Sequence, residues 1–128
     1  MSKQKIEQQV NRYAIELIKE KGYVSPIELL IKMERLTLKQ VEDWRFRKIP
    51  YLERVTNGNL SKLNYTLQVL KRFAAEMKLK PSITSYKSWG KGPKKLLLFS
   101  KTGSPYIEEL YSTHYVRPNN KKIEQKNT

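Results

Sequence analysis

Residues 25–50, SPIELLIKMERLTLKQVEDWRFRKIP, open two helices in close succession. Ser25 is placed to cap the first. Pro26 suits the first helical position, where a missing N–H has no partner to lose, and Glu28 completes the pattern of a capping box. That helix is expected to run to Met33 or Glu34. Thr37-Leu38-Lys39-Gln40 repeats the start only twelve residues on and opens a second helix, through Trp44 to about Lys48. Ile49-Pro50 interrupts it, because the residue before a proline avoids the helical region.

Working outward, Ile6, Val10, Tyr13/Ala14 and Leu17 recur at three- and four-residue spacing, so residues 3–21 read as an amphipathic helix stopped by Gly22. Residues 51–56 form a short helical turn closed by Asn57-Gly58. Asn59 caps a long helix whose apolar positions are Leu60, Leu63, Leu67, Leu70, Ala74 and Met77, ended by Pro81. Three heptads are short for a free-standing zipper, so this stripe reads as core seam ahead of a coiled-coil seam. Ile83 to Trp89 and Lys95 to Ser100 flank Gly90-Lys91-Gly92-Pro93 and read as a β-hairpin. Ser104-Pro105 starts a last helix, with Glu108 and Glu109 in its first turn and Ile107, Leu110, Tyr111 and Tyr115 facing inward. The expected fold is α+β and mostly helical: a helix-turn-helix-like core with a long helix, a small β-hairpin and a C-terminal helix. It forms one domain over 1–118, followed by a polar tail at 119–128 that is expected to fray.

The 128 residues carry 26 Lys+Arg against 12 Asp+Glu, a formal net charge of +14. Residues 1–53 are nearly balanced, at +3, whereas residues 54–107 hold eleven basic residues and a single acid, Glu76. From Met77 through Ile107 there are seven lysines and no acid. Solubility is usually served by intermixed signs, so a long stretch of one sign points to a polyanionic partner. With no cysteine, disulfides, thiolate nucleophiles and Cys-based zinc sites are excluded, and His114 alone makes no His cluster. The longest strongly apolar run, Leu96-Leu97-Leu98-Phe99, falls far short of the roughly 20 residues of a membrane span. The first residues, Met1 to Glu7, carry no hydrophobic signal core. A soluble, cytoplasmic protein without membrane, metal or cofactor is expected.

The run Leu36 to Arg45, followed by Ile49-Pro50, resembles the second helix of repressor- and excisionase-type helix-turn-helix domains. Leu30, Leu36, Val41 and Trp44 stand at the apolar positions that such a helix pair needs. The likeness covers residues 26–50. It departs where Ile31 replaces the usual small residue and Arg35 the usual turn glycine. The resemblance implies DNA binding, with Lys39, Gln40, Arg45 and Arg47 offered to base edges; Glu42 and Asp43 oppose it by repelling phosphate. Residues 43–54 and 99–104 together also resemble an uncharacterised family of small basic bacterial proteins, which implies one folding unit over about 23–117 and no particular activity.

A second contact surface is Arg54, Lys62, Lys71, Arg72, Lys78 and Lys80, with Lys71 and Lys78 seven apart on the long helix. A solvated face is the plain alternative. The hairpin adds Lys87, Lys91, Lys94 and Lys95 for phosphate and Trp89 as either a stacking platform or a core residue. Its Gly-Lys-Gly-Pro-Lys-Lys lacks the spacing of a nucleotide-hydrolysing phosphate loop. Adjacent Glu108 and Glu109 do not face each other, and no Gly-x-Ser-x-Gly elbow occurs, so no enzyme is expected. Double-stranded DNA is the expected partner. Structured RNA or the ribosome comes second, and a basic protein–protein adaptor third; the oligomeric state is left open.

Overall fold

Ile6, Val10, Ala14, Leu17 and Ile18 fall on one helical face, and in the computed structural model all five are buried along α1, Lys3–Lys21. The structure describes residues 3–118, so the tail at 119–128 lies outside the described residues. Gly22 ends α1 with φ at +82°, a conformation that side chains resist, and its N–H donates to the Ile18 carbonyl at 2.8 Å.

The two capped helices follow as α2, Pro26–Lys32, and α3, Leu38–Arg45. The Thr37 box is complete: its hydroxyl accepts from the Gln40 N–H at 3.1 Å while the Gln40 side chain accepts from the Thr37 N–H at 3.0 Å. The Ser25 box is half made. Ser25 accepts from the Glu28 N–H at 3.2 Å, but the Glu28 carboxylate takes the Ser25 hydroxyl at 2.9 Å and also receives Lys21 and Tyr23. α3 stops three residues earlier than the sequence suggests, because Lys48 N–H closes back on the Asp43 carbonyl at 2.8 Å. That closure puts Arg47 in the left-handed region at φ 63°. α2 ends the same way through Glu34, and so does the long helix α4, Leu60–Glu76, through Lys78. A charged residue thus occupies the glycine position of three successive helix ends.

Asn59 caps α4 by accepting from the Lys62 N–H at 2.8 Å. Leu63, Leu67, Leu70 and Ala74 are buried as a core seam, while Leu60 and Met77 at its two ends are exposed. Pro81 does not end this helix. It lies in β2, Lys80–Ile83, an edge strand of a three-stranded antiparallel sheet ordered β1-β3-β2, with β1 at Tyr23–Val24 and β3 at Thr113–Val116. An edge tolerates a residue without an N–H. The last helix, α5, spans Pro105–Ser112 only, and Tyr115 reaches the core from β3 instead.

The hairpin expected over 83–100 is narrower than foreseen. Lys87 and Leu96 form one antiparallel bridge, with Leu97 N–H on the Tyr86 carbonyl and Ser88 N–H on the Lys95 carbonyl. The buried Ser88 hydroxyl, not a backbone carbonyl, accepts the Lys95 N–H at 2.9 Å, so no regular ladder propagates. The rest of 84–104 is irregular and tied down from outside. Leu52 and Glu53 N–H donate to the Leu98 and Phe99 carbonyls, and Glu108 accepts from the N–H groups of Phe99 and Ser100.

Two buried clusters result. One gathers α1, Val24, Leu29, Met33, the C-terminal half of α4 and Tyr115. The other gathers Leu30, Leu36, Trp44, Leu52, Leu63, Leu67, Tyr86, Phe99 and Tyr111. α2 and α4 contribute to both and so join them. Leu30, Leu36 and Trp44 share the second cluster, with Val41 packed against it. Trp44, with no exposed surface, donates its indole N–H to the Leu98 carbonyl at 2.8 Å. We expect Trp44→Ala to cost about 3–5 kcal/mol in urea unfolding, and Trp44→Phe, which keeps most of the volume, about 1 kcal/mol through the lost hydrogen bond, since the Leu98 carbonyl keeps the Leu52 N–H. An unchanged midpoint in Trp44→Ala contradicts this packing.

Candidate nucleic-acid interface

The C-terminal end of α3 and the 86–97 excursion hold one another in a definite way. Trp89 N–H donates to the Arg45 carbonyl at 2.7 Å, and the Arg45 guanidinium donates to the Lys87 carbonyl at 2.8 Å. The same guanidinium lies 4.7 Å from the Tyr86 ring centroid and 5.0 Å from that of Trp89. Burial lowers the pKa of Arg45 from its ordinary value, with the nearby Tyr86 working the other way. Arg45, expected to reach a base edge, is therefore a structural clamp. Trp89 is neither core nor free: it is 46% exposed and meets the 49% exposed Phe46 edge to face at 5.7 Å. Gly90 turns beside this pair at φ +101°, and a Cβ there would sit 3.6 Å from the Phe46 ring.

On the two chain segments that carry that pair, Arg47, Lys48, Lys87, Lys91, Lys94 and Lys95 are all exposed. Arg47, Lys48 and Lys95 line one groove with Ile49, Pro50 and Leu96 to Leu98, of about 490 Å³. Lys94 reaches back to the Gly90 carbonyl at 3.2 Å. None of the six has a carboxylate partner among the described residues. The ion pairs Arg12–Glu16, Lys21–Glu28, Lys32–Glu16, Lys32–Glu20, Lys39–Asp43 and Arg72–Glu7 all draw their acid from the first 43 residues.

The other residues singled out from sequence are dispersed. Lys39 pairs with Asp43 at 3.0 Å, and the Gln40 side chain serves the Thr37 box. Gln40 and Arg54 line a separate groove with Arg35. Lys62 stands in the first turn of α4, and Arg72 turns to Glu7 of α1 at 3.4 Å. The Lys71–Lys78 row does not form, because α4 ends at Glu76 and Lys78 lies beyond it with a reversed φ. Lys71 instead borders an apolar groove between α4, β2 and α5. Phe46 and Lys48 belong to the cationic–aromatic surface and were not singled out from sequence. Phe46, two residues past the buried Trp44, stands on the opposite side of the turn, and that offset was the available signal.

Behind the interface, Tyr86 carries a second contact. Its hydroxyl and His114 Nε2 lie 2.7 Å apart, and the imidazole stacks on Tyr23 at 5.6 Å with 3° between the planes. Burial pushes the Tyr86 phenol up to about 12, so it stays protonated beside the imidazole, and the His114 tautomer sets which of the two donates. No family model matches the chain, and neither the curated proteins nor the solved structures yield a match. Among the described residues no helix is long and apolar enough to cross a membrane, and no group of three His, Asp or Glu side chains is placed to hold a metal ion.

Burial lowers the pKa of His114 below its ordinary 6.5, while Glu28 pulls it the other way. The unfolded chain then binds the extra proton first, so stability is complete above pH 6.5 and declines as pH falls through the folded-state value. Thermal melts between about pH 7.5 and pH 5.5 are expected to show this decline in the parent and lose it in His114→Gln. An equal slope in both proteins assigns the decline to another group.

Proposed function

We propose that the protein is a non-catalytic nucleic-acid-binding protein of the cytoplasm that holds double-stranded DNA chiefly through phosphate contacts. The observation that carries this reading is a set of six exposed cations without carboxylate partners, Arg47, Lys48, Lys87, Lys91, Lys94 and Lys95, on the two segments that meet at an exposed aromatic pair. Phosphate neutralisation is sequence-independent and releases condensed counterions, so it needs cations that are not already paired within the protein. The basic 86–97 excursion beside the end of α3 would play the part of a wing beside a helix-turn-helix. Groove insertion by α3 is the lesser part of the proposal: its outward residues are Leu38, Lys39 and Glu42, and Lys39 is already paired.

Structured RNA is the second reading, favoured by the exposure of Phe46 and Trp89, since bases outside a duplex stack on such rings. RNA that displaces duplex DNA in competition selects it. A protein–protein adaptor predicts that charge reversal at Lys91, Lys94 and Lys95 leaves partner binding intact.

Titrating a short duplex at increasing salt is expected to give a log–log slope of magnitude about 4–5, if about five of the six cations meet phosphates. Lys91→Glu with Lys94→Glu and Lys95→Glu lowers that slope by about 3. No affinity at low salt, or a flat dependence, overturns the proposal. Arg47→Gly separates stability from binding. Relief of the left-handed backbone is expected to stabilise folding by about 1 kcal/mol in urea unfolding, while duplex affinity falls.

A further inference from the structure

We infer that Phe46 and Trp89 form a receptor for one unpaired nucleobase, so that the preferred ligand is a duplex carrying a bulged base. This rests on the nucleic-acid reading above and specifies what that surface takes. The two rings meet at 78°, which leaves a right-angled notch. A planar group stacked on one ring then meets the other ring edge on. Although the rings touch each other, both residues stay nearly half exposed, 49% for Phe46 and 46% for Trp89. That much exposed aromatic area is a standing cost in water unless something flat covers it.

The notch is preformed. Trp89 is held by its backbone N–H on the Arg45 carbonyl and by the guanidinium over its ring, and Arg45 is itself fixed to the Lys87 carbonyl and the buried Tyr86. Phe46 is the C-cap residue of α3, so its backbone is set by the helix end. Little ordering entropy remains to be lost when a base enters. The surroundings match the rest of a nucleotide. Arg47 follows Phe46, Lys87 and Lys91 flank Trp89, and no carboxylate pairs with any of the three. An acyl chain or an apolar side chain gains nothing from that ring of charge, whereas an extruded nucleotide brings a phosphate on either side of its base. A fully paired duplex offers cations their phosphates and offers the notch nothing, because its bases are stacked inside.

The test compares two duplexes of equal length, one with a single extra unpaired adenine, binding to the full chain at fixed salt. The bulged duplex is expected to bind about tenfold more tightly and to quench tryptophan fluorescence. That quenching reports Trp89, because Trp44 has no exposed surface. Trp89→Ala abolishes the preference, so that the ratio of bulged to plain-duplex affinity falls to about one. Trp89→Phe keeps part of the preference, which separates loss of stacking from loss of fold. Equal affinity for the two duplexes, with the salt slope intact, overturns the inference and leaves the nucleic-acid reading standing. Absence of binding to either duplex overturns both. Quenching by phosphatidylserine vesicles but by neither duplex does the same and assigns the rings to a lipid surface.

Discussion

The hydrogen bond from the Trp44 indole to the Leu98 carbonyl is the constraint on which the second half of the molecule depends. Residues 84–104 contain one β-bridge and no regular strand, so their backbone groups need partners from elsewhere. Trp44 supplies one, and the N–H groups of Leu52 and Glu53 use the Leu98 and Phe99 carbonyls. The Glu108 carboxylate takes the N–H groups of Phe99 and Ser100. The Trp44 ring meets Phe99 at 4.9 Å and Tyr86 at 5.7 Å, which brings the two arms of the excursion onto one side chain.

Charge is partitioned to match. The N-terminal third pairs carboxylates of α1, α2 and α3 with its own cations. Glu28 shows the pattern. Burial alone would raise its pKa, yet hydrogen bonds from Lys21, Ser25 and Tyr23 hold it below the usual carboxylate value. Two of the later acids are also engaged structurally. Glu53 accepts from the Tyr111 hydroxyl at 2.8 Å, and Glu108 binds backbone N–H groups rather than a cation. Few negative charges are left to neutralise the excursion, so its lysines face solvent with their charge intact.

The helices were legible because their start signals are local. Ser25, Thr37 and Asn59 each cap the helix assigned to them, and the seam Leu63–Ala74 lies where its spacing puts it. The sheet was not legible, because β1 and β2 both pair with β3 at the far end of the described chain, and no short-range pattern encodes that pairing. Thr113-His114-Tyr115-Val116 did carry a strand signal in its β-branched and aromatic residues, masked by the helical spacing of Tyr111 and Tyr115. Within the candidate interface, the lysines and Trp89 were visible as composition. The clamp role of Arg45 was hidden, because it depends on a carbonyl 42 residues away.

β2 forms an outer edge of the sheet, and it begins with Lys80 and Pro81. A row of open N–H groups on such an edge invites another chain to add a strand, but Pro81 has no N–H to offer and Lys80 brings a charge that a second copy would have to face. Under the proposed function this has a particular value. Copies lined along one polyanion would sit at a local concentration far above that of the surrounding solution. A sheet that cannot be extended at that edge allows crowding there without fibre growth.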